Sequence, residues 1–273
     1  MWPIPAPSRP LIFAHRGGAA LEPENTMCAF ERGMALGADG LELDVRLSRD
    51  GRVVVHHDDR LDRTTDGQGR VASFTADELL RLDAGCRFTA GGPGPVAGQP
   101  RRAGAIRIPL LCDVLDRFRN ALLIIELKGS DPGLARAVVE EIRRADAMNR
   151  VCLAGYSRRA LRAARNAEPS IATSAAREDV RWALYRSWFN LSPGRVPYRA
   201  FQVPEIAGRT RIVSPRFLRL AHKAGLPVQV WTVDTGDEVA RLLAWGVDAI
   251  ISDRPDIAVP VRDALFNGHQ SER

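Results

Sequence analysis

Gly40-Leu-Glu-Leu-Asp-Val-Arg-Leu-Ser-Arg-Asp-Gly-Arg-Val-Val-Val-His-His-Asp58 reads as two strands around a tight turn. Asp50-Gly51, flanked by alternating apolar residues, is a two-residue hairpin signal. With those two residues as the loop, Arg49 faces Arg52, and counting back along the ladder sets Asp44 opposite His57. Opposed residues share a face, with Cβ atoms about 5 Å apart. Glu42, two positions before Asp44, lies on that face as well. The register therefore predicts two carboxylates and an imidazole gathered on one side, with His56 turned to the other. Two readings fit this stretch taken alone. One is a solvated polar strand face; the other is a functional site, because buried carboxylates are rare unless paired or bound to metal.

The rest of the chain bounds the choice. Its 273 residues suffice for one large α/β barrel or two small domains, and for a substantial core. A hydrophobic content of 45% and a charged content of 26% are those of a soluble globular protein. The net charge of +6 comes from arginine, since Lys128 and Lys223 are the only lysines. No long basic run interleaves with aromatics, so no nucleic-acid partner is expected. An anionic substrate or a weak attraction to a membrane surface fits the charge equally. Cys28, Cys86, Cys112 and Cys152 have neither metal-type nor redox spacing. A chain of this length needs no disulfide staple, so reduced thiols in a cytoplasmic setting are expected. The proline-rich start lacks the regions of a signal peptide. No apolar run approaches the ~20 residues of a membrane span, so no stable membrane insertion is expected.

Leaving out the hairpin arm 53–57, apolar strands are predicted at 11–14, 40–45, 121–127, 151–155, 170–174, 200–203, 228–233 and 249–252. The arm is excluded because a two-residue turn cannot join parallel neighbours. A helix is predicted after each strand, among them 111–118 (ahead of the third strand), 132–145, 158–166, 177–189, 215–224 and 236–245. Eight β-α units point to a closed TIM-type (β/α)8 barrel; an open doubly wound sheet is the alternative. One catalytic unit over 9–263 is expected, with 1–8 and 267–273 as flexible termini. Periodicity weakens over 59–107, which reads as a small insertion after the second strand, part of a lid. Within it Thr75 and Glu78 predict a capped short helix, and 90–98 a glycine- and proline-rich loop.

Barrel chemistry sits at the C-terminal ends of strands. There the chain places His15-Arg16, Glu42-x-Asp44, Glu126-x-Lys128, Trp231-Thr-Val-Asp234 and Ser252-Asp253. Glu42, Asp44 and Glu126 alternate with apolar residues, so all three can point inward at one level. Three such carboxylates raise one another's pKa. One divalent cation relieves this, and all-oxygen ligation suits Mg²⁺ or Ca²⁺. The competing reading pairs Glu126 with Lys128. His15 and His57 would supply one acid and one base near neutral pH, and Arg16 and Lys128 cationic donors for an anionic oxygen. Together these suggest phosphodiester cleavage. His56, His222 and His269 read as structural.

The motifs His15-Arg-Gly17, Pro23-Glu-Asn-Thr26, Glu42-Leu-Asp44, Asp50-Gly51, His57-Asp58-x-x-Leu61-x-Arg63-Thr-Thr65, Glu126-Leu-Lys128, Gln229-Val-Trp-Thr-Val233 and Gly246-Val-Asp-Ala-Ile-Ile-Ser-Asp253 occur in this order. Over residues 11–256 the chain resembles the glycerophosphodiester phosphodiesterases. The resemblance implies a barrel of the phospholipase-C-like phosphodiesterase kind, catalytic His15 and His57, and a metal held by Glu42, Asp44 and Glu126. It also implies phosphate contacts from Arg16 and Lys128, and Trp231 walling the substrate pocket. The implied reaction is hydrolysis of a small-molecule glycerophosphodiester to sn-glycerol 3-phosphate and an alcohol. Attack by the glycerol 2-hydroxyl through a cyclic phosphate and direct attack by water are both compatible. Departures from the usual pattern are Ile108-Pro-Leu-Leu-Cys112, Ser252 for threonine and Asp234 for asparagine; they leave the head-group preference open. A runner-up on the same fold is a lysophospholipase D or related phospholipid phosphodiesterase, which needs a greasy channel; the insertion offers only Phe74 and Phe88. A non-catalytic ligand-binding barrel would be expected to have lost a ligand or histidine, and none is lost.

Overall fold

The computed structural model describes Trp2 and residues 9–89 and 105–267. Strand β1 (Leu11–His15) leads to helix α1 (Met27–Ala35), then β2 (Gly40–Leu47) and β3 (Val53–Val55). A 3-10 turn at Val71–Ser73 and the short α2 (Ala76–Leu79) follow, then α3 (Leu111–Arg117) and β4 (Leu122–Leu127). Next come α4 (Pro132–Arg144), β5 (Val151–Ala154), α5 (Arg158–Ala167), β6 (Ala172–Thr173) and α6 (Arg177–Trp188). The chain continues through β7 (Phe201–Pro204), β8 (Ile206–Ala207), β9 (Thr210–Arg211) and α7 (Pro215–Lys223). It closes with β10 (Val228–Trp231), α8 (Gly236–Trp245), β11 (Ala249–Ser252) and α9 (Pro255–Asn267).

The parallel strands are ordered β6-β5-β4-β2-β1-β11-β10-β7. A parallel bridge between Ser174 and Ala200 joins the two ends, with Arg199 N–H donating to Thr173 O at 2.8 Å. The sheet is thus a closed (β/α)8 barrel, and the open-sheet alternative falls away. Alternation along each strand separates two cores. Leu41, Leu43 and Val45 of β2 pack outward against Val114, Val138 and Ile142 of α3 and α4. Phe13, Ile124, Cys152, Ala172, Ala249 and Ile251 fill the barrel itself, joined by Trp2. The barrel wall is tight at β2: a Cβ on Gly40 would meet Leu122 O at 2.4 Å, so only glycine lets β1, β2 and β4 approach there.

Two expectations need correction. The hairpin pairs Val45 with Val55 and Leu47 with Val53, which sets Asp44 opposite His56, not His57. The loop has three residues, not two. Gly51 N–H bonds Ser48 O at 3.1 Å and takes φ +77°, the left-handed residue that closes a three-residue hairpin. Ser48 Oγ also accepts from Arg52 N–H and donates to Asp50, so a side chain holds the longer loop. Second, the β8–β9 hairpin after β7 has no counterpart in the predicted pattern; its strands are too short to leave a periodic signal. Within 59–107, α2 carries the predicted capping box between Thr75 and Glu78. Phe74 packs into that segment's own small core with Leu61 and Val71. The loop predicted at 90–98 lies outside the described residues, as does His269.

Candidate active site

β2 and β4 carry the acidic centre, with Glu42 and Asp44 inside β2 and Glu126 near the end of β4, beside His15 at the end of β1. Glu42, Asp44 and Glu126 each offer an oxygen, and these oxygens lie within 4.8 Å of one another. Adjacency follows from register, since Asp44 pairs with Glu126 and Glu42 with His15. Lys128 Nζ sits 2.9 Å from both Asp44 and Glu126, and Arg16 Nε 3.3 Å from Asp44. The pairing of Glu126 with Lys128 is therefore present, and the three carboxylates face Lys128, Arg16 and His15, whose Nε2 lies 3.7 Å from Glu42. Asp44 is also clasped by Asn25, whose Nδ2 donates to Asp44 Oδ2 at 2.8 Å while its Oδ1 accepts from Asp44 N–H. Asp44 Oδ1 remains buried without a well-directed hydrogen bond. A hard cation is the partner that such an oxygen, beside two further carboxylates, would take.

The electrostatics divide the group. Burial, then the Asp44 carboxylate, pushes Glu42 well above its ordinary pKa. Burial would raise Asp44 too, but Lys128 and Arg16 outweigh it and hold it low. Burial works to lower His15, yet Glu42 and the hydrogen bond to Asp253 override it and carry the imidazole up to about 9. His57 is lowered, first by burial and then by Lys128 and Arg16 against the opposing Asp44.

Each of these histidines is held at Nδ1 by a carboxylate: His15 by Asp253 at 2.7 Å and His57 by Asp58 at 2.6 Å. Such a bond fixes the ring and leaves Nε2 for exchange. Asp253 is anchored in turn, its N–H donating to Asp234 Oδ1 at 2.7 Å, with Ser252 Oγ donating to the same oxygen at 3.0 Å. Arg63 binds both oxygens of Glu24 and both of Asp58. Glu24 also accepts from Arg16 at 2.8 Å. One guanidinium thus ties the segment after β3 to the turn after β1. That turn is tight: Gly17 has φ +88°, and a Cβ there would lie 2.6 Å from the Ala29 backbone.

A cavity of about 740 Å³ opens over this centre. His15, Arg16, Glu42, His57, Glu126, Lys128 and Trp231 all line it, and Asp44 lies beneath Lys128. Every site residue named from sequence is therefore at one place. His57 reaches it although its predicted ladder partner was wrong, because the chain leaves the β3 strand after Val55. His56 is buried with Nε2 against Arg60 O at 3.2 Å, and His222 pairs with Asp248 at 2.8 Å, both away from the cavity. The residues without an assigned role were Asp58, Asp253, Asp234, Glu24, Arg63 and Asn25. Several sat inside the quoted motifs; Asp253 reaches His15 across 238 positions, which leaves no local spacing to read, whereas Asp58 stands next to His57 and the motif itself could have suggested that pairing. The apolar side of the cavity, on α6 and β8, carried no motif at all.

Comparison with known proteins gives the same answer from another direction. The model of the glycerophosphoryl diester phosphodiesterase family matches residues 15–257. A glycerophosphodiester phosphodiesterase of Caldanaerobacter subterraneus subsp. tengcongensis is 32% identical over 259 residues, 91% of this chain and 96% of that protein. One of Bacillus altitudinis is 34% identical over 260 residues, 93% of this chain and 98% of that protein. The crystal structure of the glycerophosphodiester phosphodiesterase from Agrobacterium tumefaciens superposes with a TM-score of 0.75 at 28% identity, covering 92% of this chain and 99% of that one.

Proposed function

This chain belongs to the glycerophosphoryl diester phosphodiesterase family, and from that premise we propose that it hydrolyses glycerophosphodiesters to sn-glycerol 3-phosphate and an alcohol. The observation that carries the reading is the pair of carboxylate-held imidazoles, His15 and His57, set around an acidic trio at the mouth of the barrel. In this reading the oxygen of water ends on phosphorus and the P–O bond to the alcohol breaks. One imidazole takes the proton of the attacking hydroxyl and the other gives a proton to the leaving alkoxide. Asp253 and Asp58 keep both rings in place while the proton moves. Arg16 and Lys128 bind the phosphate oxygens, and both are held ready by carboxylates, Glu24 for Arg16 and Glu126 for Lys128. Trp231 walls the pocket.

Glu42, Asp44 and Glu126 would hold one divalent cation, Mg²⁺ or Ca²⁺. When bound, it supplies Lewis-acid neutralisation of charge on the phosphoryl oxygens. Residues 9–263 act as one catalytic unit with 59–107 as its insertion. No helix among the described residues is long and apolar enough to cross a membrane. We also place the protein in the cytoplasm, as the cysteine spacing suggests.

The test is release of glycerol 3-phosphate from glycerophosphoethanolamine or glycerophosphocholine by the purified chain with Mg²⁺ or Ca²⁺. Turnover that chelator abolishes is expected. No release with either ion, on a folded sample, overturns the reading.

A further inference from the structure

Arg46 is the arginine of β2, two positions after Asp44 and on the strand face that carries Glu42 and Asp44. Unlike Arg16 and Lys128 it does not line the cavity, so it offers nothing to a phosphate there. Its guanidinium is turned instead onto the backbone of His57. Nε and Nη2 both donate to His57 O, at 2.9 and 2.7 Å. Nη1 points toward Asp59 at 3.6 Å, beyond hydrogen-bond range. The side chain is only 19% exposed. A guanidinium this buried ordinarily faces a carboxylate, because taking a charge out of water is costly unless it is paired. Here its two good bonds fall on one neutral peptide oxygen.

That oxygen lies where the hairpin pairing gives out. Strand β3 ends at Val55, and His56 N–H donating to Asp44 O at 2.9 Å closes the pairing. Past that bond, β2 holds the His57 backbone through the Arg46 side chain. Building on the phosphodiesterase reading, we infer that Arg46 is a positioning residue for the reaction: it fixes the His57 backbone, and with it the reach of the imidazole into the cavity. One strand then sets the whole relation. β2 carries Glu42 and Asp44 of the acidic trio and also the arm that holds His57. The ring is held separately, by Asp58, which Arg63 grips in turn. Two arginines from two segments therefore fix main chain and ring. A planar fork closed on one oxygen resists rotation, since turning the peptide breaks both bonds together. Without it, His57 and Asp58 could shift as a unit with their own bond intact. A displacement of about 1 Å between a catalytic group and its substrate can cost about a hundredfold in rate. The competing account is a role in stability alone, in which the same bonds tie down the segment after β3 and turnover does not depend on them.

The experiment is a double-mutant cycle on the full chain with Mg²⁺ and glycerophosphoethanolamine, combining Arg46→Met with His57→Ala. Arg46→Met keeps the stem and removes every donor. With His57 present it should lower kcat by about 10–100-fold. KM should change by less than about twofold, since the arginine touches no substrate. With His57 already removed, the same substitution should change kcat by less than about twofold. An equal loss in both backgrounds, or no loss in the first, overturns the inference. If Arg46→Met does not fold, Arg46→Lys, which keeps the charge but loses the fork, is judged by the same two criteria. A second measurement needs no turnover. With isotope-labelled histidine, the imidazole nitrogen resonances of His57 should move in the Arg46 variant while those of His15 and His222 stay in place. Unmoved His57 resonances overturn the inference as well. If the native protein hydrolyses no diester, the phosphodiesterase reading fails by itself, and those resonances decide whether Arg46 places the ring.

Discussion

Asp253, at the end of the last barrel strand, accepts a hydrogen bond from His15 Nδ1 at 2.7 Å, at the end of the first. The two residues are 238 positions apart in the chain. Barrel closure alone makes them neighbours, through the β1–β11 register that pairs Ala14 with Ser252. Asp253→Asn keeps the shape but loses the charge that orients and supports the ring. We expect kcat to fall by about 10–100-fold with KM little changed, a loss smaller than that of removing the imidazole itself. Steady-state kinetics on glycerophosphoethanolamine check this, and an Asp253→Asn enzyme with full kcat would show that the bond is only structural.

The two neighbouring histidines of the hairpin should separate. His57→Ala is expected to lower kcat by about 10²–10⁴-fold, as is His15→Ala. His56 is buried with Nε2 against Arg60 O, so His56→Ala should cost stability, about 1–2 kcal/mol. The folded fraction should keep most of its activity. Urea unfolding and kinetics on the same preparations distinguish the two effects.

Cation binding should be visible without turnover. A ligand at one hundred times its Kd stabilises the folded state by about 2.7 kcal/mol. For a chain of this size that raises Tm by on the order of 5 °C. Thermal melts with increasing Mg²⁺ or Ca²⁺ should show the rise in the native protein and lose it in Glu42→Gln and Glu126→Gln. An identical rise in those variants would place the ion elsewhere.

Away from the site, Glu141 on α4 predicts a pH dependence of stability. Burial pushes its carboxyl from 4.5 up to about 7, against the lowering pull of Arg52 and Arg144. Its Oε2 is buried without a hydrogen-bond partner. The folded chain therefore holds this proton more tightly than the unfolded chain does. The contribution is complete below about pH 4.5 and is lost as pH rises through 7. Glu141 keeps some solvent contact, so the loss is discounted to roughly 1–2 kcal/mol. Urea unfolding at pH 5 and pH 8 should show that drop in the native protein, less whatever drop Glu141→Gln retains. Equal drops in the two would remove Glu141 as the cause.

Much of the architecture could be read in advance because it is written in short-range pattern. Runs such as Leu122–Leu127 and Ala249–Ser252 are apolar for as long as a buried strand lasts, and each ends in an ionisable residue or leads straight into one. Repetition of that pattern implies closure, and closure implies one mouth where those residues meet. The hairpin shows the limit. Asp50-Gly51 marks a turn correctly, but Ser48 decides whether two or three residues form it, by bonding both Asp50 and Arg52. One residue of loop moves every partner along the ladder.

From its own order of residues the chain determined the barrel, the acidic trio and the two imidazoles, since alternation and strand ends are local properties that folding preserves. Tertiary structure alone decided which carboxylate holds which histidine, how Arg63 ties Glu24 to Asp58, and that α6 lends an apolar wall to a charged cavity. Most of those relations join residues that the chain keeps apart, as His15 and Asp253 or Glu24 and Arg63 are, while Asp58 holds its neighbour His57 only because the segment after β3 turns both toward the cavity. They exist only once the strands close and bring the ends of separate segments within a few ångströms.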